Sequence, residues 1–149
     1  MIIKEIDQTE ICEAKKLIWK VFLNFEASDY TKEGINTFKN FLDNKEALLK
    51  LKMYGAYIDD SLVGVIGTRK NNNHISVFFV YKKYQKQGIG KSLFKIVIQK
   101  ATKDEVTVNS SPFAVDIYKK LGFECIDHEQ LVDGIRFVPM LYRINKKTS

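Results

Sequence analysis

The chain has 149 residues, 45% hydrophobic and 28% charged, a globular mixture that excludes a disordered or fibrous polypeptide. Its 24 Lys and Arg against 18 Asp and Glu leave a net charge of +6, which favours an anionic ligand without naming one. No apolar run is long enough to cross a bilayer, and the opening Met1-Ile-Ile-Lys-Glu-Ile segment does not read as a signal peptide. Cys12 and Cys125 are too far apart in sequence to suggest a disulfide framework or a zinc site. The expectation is one soluble, cytoplasmic domain over residues 1–149, with no metal.

Residues 2–6 read as a short strand. Asp7 and Glu10 resemble a capping box, and Ile11, Ala14, Ile18, Val21, Phe22 and Phe25 then recur at helical spacing. Thr31 caps a second predicted helix with Ile35, Phe38, Phe41 and Leu42 on its inner face; residues 46–52 add a turn or two. From Tyr54 the period changes. Residues 56–58 and 62–66 flank Asp59-Asp60-Ser61 as a hairpin, and Asn71-Asn72-Asn73 turns into the strongly strand-like run of residues 74–80. Leu93, Phe94, Val97, Ile98 and Ala101 form one helical stripe, and residues 106–108 a short strand. Ser110 or Ser111 caps a helix that Gly122 stops. Residues 123–126 and 135–142 supply two closing strands joined around Asp133-Gly134, with Pro139 suggesting an edge or a break. The order predicts a mixed α/β sheet covered by helices.

The informative segment is Gln85-Lys-Gln-Gly88-Ile-Gly90-Lys91-Ser92, between a strand and an amphipathic helix. The first N–H groups of a helix lack intrahelical partners and carry the positive end of its dipole, so a phosphate suits this place. Glycine there can equally do no more than relieve the turn. A P-loop requires glycine where Gln85 stands, and a dinucleotide fingerprint requires glycine at Leu93; both fail.

Gln85-x-x-Gly88-x-Gly90 after a strand ending in Val80, followed by Val108-Asn109-Ser110-Ser111-Pro112-Phe113-Ala114 and Tyr118-Lys-Lys-Leu-Gly122-Phe123, resembles the GCN5-related N-acetyltransferase (GNAT) family. The likeness spans roughly residues 54–142; Lys82 stands where the family commonly has proline. The resemblance implies the acyl-CoA N-acyltransferase fold, an α/β sheet of about six or seven mostly antiparallel strands flanked by about four helices. It implies acetyl-CoA as co-substrate and a primary amine as acceptor. The cofactor-binding residues it points to are Phe78, Phe79 and Val80, pairing with the pantetheine arm as an added strand would; Gln85, Lys86, Gln87, Gly88, Ile89, Gly90, Lys91 and Ser92 around the pyrophosphate; and Asn109 and Ser111. Lys82, Lys83, Lys86, Lys91 and Lys95 add positive charge, or simply solvate their faces.

The resemblance also places Tyr118 near the cofactor sulfur as general acid, and a phenol with a pKa near 10 can protonate a thiolate. A period of two puts His74 on one strand face with Ser76, Phe78 and Val80. There it reads either as a base, with an imidazole pKa near 6.5, or as an idle turn residue. Phe25 and Glu26, among Phe22, Asp29 and Tyr30, suit an ammonium through charge and cation–π contact, and Arg136 and Met140 are expected to border the acceptor. Three functions stand side by side: an N-acetyltransferase, a catalytically inactive acyl-CoA-binding sensor, and a nucleic-acid binder. The last lacks a basic patch with interleaved aromatics. The expected partners are therefore acetyl-CoA and an amine, with no nucleic acid and no membrane, in a monomer or homodimer.

Overall fold

In the computed structural model, which describes residues 1–144, the alternating segments assort into one eight-stranded sheet and the 3.6-period segments into five α-helices. Strand β1 (Ile2–Glu5) is followed by α1 (Ile11–Phe25), α2 (Lys32–Asp43) and α3 (Lys45–Leu49). Next come β2 (Lys52–Ile58), β3 (Ser61–Arg69) and β4 (His74–Val80). The chain then runs through α4 (Ile89–Lys100), β5 (Glu105–Ser110), α5 (Val115–Leu121), β6 (Glu124–Cys125), β7 (Gln130–Val132) and β8 (Ile135–Arg143). The strand order is β1-β2-β3-β4-β5-β8-β6, with β7 on β8. Every pairing is antiparallel except β4–β5.

Local chemistry explains the element ends. Asp7 and Glu10 complete a capping box around the turn that leads into α1, Thr31 Oγ1 accepts from the Gly34 N–H at the start of α2, and Asn44 Oδ1 accepts from Ala47 N at the start of α3. The β2–β3 hairpin turns through Asp59 and Asp60 at φ 49° and 65°, and β7–β8 through Asp133 and Gly134 at φ 52° and 78°, the positive pair that a two-residue hairpin needs.

One helical layer, α1 to α3, buries Leu17, Ile18, Phe22, Leu42 and Leu48 against Val65, Val77 and Phe79. The other, α4 and α5, buries Leu93, Phe94, Val97 and Tyr118 against Ile66, Ile75, Val106 and Val108. Each fully buried side chain of this size contributes roughly 1.5–3 kcal/mol, so the two layers hold the sheet rigid from both sides. Among the described residues no helix is long and apolar enough to cross a membrane.

Two expectations change and one open alternative is settled. The closing region holds three strands, because Asp133-Gly134 joins β7 to β8 and the segment after Gly122 pairs for only two residues. Pro139 lies within the interior strand β8, so of the two alternatives it marks a break and not an edge: the pairing with β7 ends at Phe137 and that with β6 starts at Met140. It is tolerated because β6 pairs at Met140 and Leu141 and no further, while the Pro139 carbonyl still accepts from Ile126 N. The second change is the face of His74. Gly67 pairs with Val77 and Thr68 with Ile75, so Ser76 is an extra residue, a β-bulge. It reverses the alternation: Ile75 shares a layer with Phe78 and Val80, and Val77 and Phe79 take the other. His74, whose Nδ1 lies 2.7 Å from Thr107 Oγ1, therefore faces away from Phe78 and Val80.

Helix α2 docks on the β7–β8 turn through glycine. The Thr31 N–H and hydroxyl both donate to Gly134 O, and Thr37 Oγ1 donates to Asp133 O. A Cβ on Gly34 would run into the Gly134 carbonyl. Gly34→Ala is expected to destabilise the fold by about 1–3 kcal/mol through this overpacking, read as a lower urea midpoint; an unchanged midpoint would remove the docking role.

Candidate active site

Strands β4 and β5 pair at His74–Thr107 and Ile75–Val108 and nowhere beyond. The bulge at Ser76 then carries the rest of β4 away from β5. A cleft of about 420 Å3 opens there, lined by Ser76, Phe78, Phe79 and Val80 on one side and Val108, Asn109, Ser110 and Ser111 on the other. The β5-facing edge of residues 77–80 has no strand partner among the described residues. Ser76 Oγ is buried and finds no hydrogen-bond partner among them either. An unpaired strand edge and an orphan hydroxyl both suit a ligand with amide groups.

One end of the cleft is the glycine turn. Lys86 (φ 62°) and Gly88 (φ 83°) both lie in the left-handed region, and Gln85 Nε2 donates to Val80 O at 2.9 Å, tying the turn to β4. Gly88 is the N-cap of α4 and no side chain caps the helix, which leaves the N–H groups of Ile89, Gly90 and Lys91 aimed outward. A Cβ on Gly88 would meet nothing within 4 Å. The glycine thus answers a backbone requirement and faces open space, with Lys86 and Lys91 on the same turn and Lys120 of α5 also lining the cleft. This cradle fits a diphosphate.

The other end is apolar and acidic. Glu26 ends α1, and its carboxyl is pushed up to about 7 by burial; a hydrogen bond from Ser111 opposes the rise and the nearby Asp29 charge adds to it. Tyr118, on α5, is buried between Phe78 and Phe123, with ring centroids 6.0 and 5.2 Å away. Burial first, and then the Glu26 charge, push its phenol far up. Tyr118 therefore keeps its proton at neutral pH, and Glu26 sits at the balance point where it can take one.

A family model described as an acetyltransferase (GNAT) domain matches residues 26–144. The chain belongs to the GNAT acetyltransferase family. Its fold is shared by a GCN5-related N-acetyltransferase from Rhodopseudomonas palustris (16% identity, 96% of this chain and 95% of that one, TM-score 0.83). A GNAT-family acetyltransferase from Staphylococcus aureus is similar over 97% and 99% of the two chains, at 21% identity and TM-score 0.74. So is the PaiA N-acetyltransferase from Thermoplasma acidophilum, solved in complex with coenzyme A, over 96% and 99% at 21% identity and TM-score 0.71. No curated protein matches the chain in sequence.

Within this GNAT fold the cleft gathers Phe78, Phe79, Val80, Gln85, Lys86, Gly88, Gly90, Lys91, Asn109, Ser111, Tyr118, Phe25 and Glu26. The side chains of Gln87, Ile89 and Ser92 do not line it: Gln87 bonds Lys83 O and Ile89 is core. Met140 is fully buried under the sheet and cannot border an acceptor. Arg136 stands outside, bidentate on Glu129 at 2.9 and 3.2 Å. His74 is turned away by the bulge, and burial, with Arg69 and Lys70 nearby, lowers its pKa to about 4. Its neutral ring is a strand-to-strand fastener. Ser76, Tyr30, Phe38 and Phe113 also line the cleft; for Ser76, the signal is a bulge that only the pairing register reveals.

Glu26 yields a pH signature. Its folded pKa lies above the ordinary 4.5, so the native state holds this proton more tightly than the unfolded chain. The stability it adds is complete below about pH 4.5 and lost as pH rises through about 7. The stability of Glu26→Gln relative to the parent should therefore rise by on the order of 1–3 kcal/mol between about pH 5 and pH 8, measured by urea unfolding. A flat difference would show that the carboxyl is not desolvated.

Proposed function

We propose that this protein is an acetyl-CoA-dependent N-acetyltransferase acting by direct transfer to a primary amine, carried out by a single domain. The observation that carries the reading is the coincidence of three features in one cleft: an uncapped glycine turn, an unpaired strand edge, and a buried phenol electrostatically coupled to a carboxyl of raised pKa. Bound acetyl-CoA supplies an activated thioester, whose C–S bond breaks as the amine nitrogen bonds the acetyl carbon. In this reading the amides of Ile89, Gly90 and Lys91 hold the diphosphate, helped by Lys86 and Lys91. The free edge of β4 at Phe78, Phe79 and Val80 takes the pantetheine amides as an added strand, and Ser76 and Asn109 offer further polar contacts.

Tyr118 then donates its proton to the departing thiolate and is reloaded by the second proton, which the nitrogen sheds as the amide forms. Burial raises its pKa, which keeps the phenol loaded at neutral pH, and the transfer occurs as negative charge develops on sulfur. Glu26, rather than His74, receives the proton that the acceptor ammonium must lose. A carboxyl near 7 is ionised in a large fraction of molecules and still basic enough to act.

Two variants test the assignment. Tyr118→Phe is expected to keep the thermal stabilisation that coenzyme A confers while lowering kcat by about 10²–10⁴-fold; an unchanged kcat would remove Tyr118 from the chemistry. Gly90→Val, which places a branched side chain at the mouth of the cradle, is expected to abolish that stabilisation. Coenzyme A binding with no thiol release from acetyl-CoA in the presence of any amine would leave the inactive sensor as the reading.

A further inference from the structure

We infer that the acceptor is a small monoamine with an apolar, aromatic-sized body and no carboxylate, an inference that rests on the reading of the cleft as an acetyl-transfer site. Between the glycine cradle and the far wall the cleft measures about 420 Å3. That lies near the lower end of the roughly 300–1,000 Å3 of small-molecule sites, and the pantetheine arm shares it. Little room is left for the acceptor.

The walls of that remaining room are Val21, Phe25, Tyr30, Phe38, Phe79 and Phe113. Phe25 and Phe113 stack directly on each other with centroids 5.2 Å apart, forming one continuous aromatic wall that joins the end of α1 to the segment before α5. Tyr30 is braced edge-on by Phe22 at 5.0 Å. Aromatic faces accept an apolar body or one cation, but a second ammonium or a set of hydroxyls pressed against them would lose water without replacement.

Charge gives the same answer. Among the described residues Glu26 is the single acid lining the cleft, so one cationic nitrogen is matched. The next carboxylate, Asp29, lies 4.0 Å from the Arg136 guanidinium. That guanidinium is itself held bidentate by Glu129, and neither Asp29 nor Arg136 is among the residues lining the cleft, so neither offers a partner there to a second ammonium or to an acceptor carboxylate. The cations that do line the cleft, Lys86, Lys91 and Lys120, are at the cradle end or on α5.

The test is calorimetric binding of 2-phenylethylamine, spermidine, kanamycin, phenylalanine and a peptide with an N-terminal phenylalanine to the protein loaded with coenzyme A, with turnover of each amine measured separately. The inference predicts that 2-phenylethylamine binds at least tenfold more tightly than each of the others. Glu26→Gln and Phe113→Ala should each weaken it at least fivefold; Phe113 is partly exposed, so its truncation leaves the fold in place. Tighter binding of spermidine, kanamycin, phenylalanine or the peptide, or no binding of 2-phenylethylamine to the loaded protein, overturns the inference. Selective binding of 2-phenylethylamine without turnover would uphold it and overturn the catalytic reading instead.

Discussion

The site depends on one inserted residue in a strand. Ser76 is unmatched across β3, and at that point the parallel β4–β5 pair comes apart after two residue pairs. A continuous ladder would have buried the β4 edge against β5 and closed the sheet over the space that the cleft occupies. The bulge instead keeps β4 paired to β3 as far as Val80 while freeing its other edge, and it swaps which residues face which helical layer. The layers themselves fix the bulge in place, since Ile75 and Val77, on either side of it, are each buried in a different one.

From that opening the electrostatics follow. The cleft passes through the sheet, so a group on α5 and a group at the end of α1 meet although their helices cover opposite faces. Burial raises the proton affinity of both Tyr118 and Glu26, and the Glu26 charge adds to the rise at Tyr118. The cationic, polar cradle at the other end is built from backbone, with glycine supplying φ where a side chain would be strained. A backbone cradle flanked by lysines at one end and a carboxyl of raised pKa among aromatic side chains at the other give the cleft a direction.

Much of this was readable from residues alone. The Asp7–Glu10 capping box, the Thr31 cap, the Asp59-Asp60 turn and the helical stripes located their elements, because each is written in local chemistry; the cap expected from Ser110 or Ser111 is absent, since α5 starts after Ala114. The glycine turn and the Tyr-x-x-x-Gly-Phe ending were legible for the same reason: φ demands and helix termination act over a few residues. His74 was misplaced because strand parity assumes an unbroken ladder, and a bulge is decided by the partner strand. Met140 was misread for a related cause, since whether its side chain is covered depends on the strands that flank β8, while the break at Pro139 was legible because proline has no N–H to give a ladder. Gly34 gave no local signal, because its need for a bare Cα comes from a turn a hundred residues on.

The central claim is that the split between β4 and β5 together with the start of α4 forms one receptor for coenzyme A. The direct measurement is the backbone amide NMR spectrum titrated with coenzyme A. The account predicts large shifts at Gly88, Ile89, Gly90 and Lys91 and along residues 76–80, with β1 and β2 unmoved. Unchanged amides at those positions, or shifts confined to the polar cleft around Lys50, Arg69 and Asn72, would contradict it.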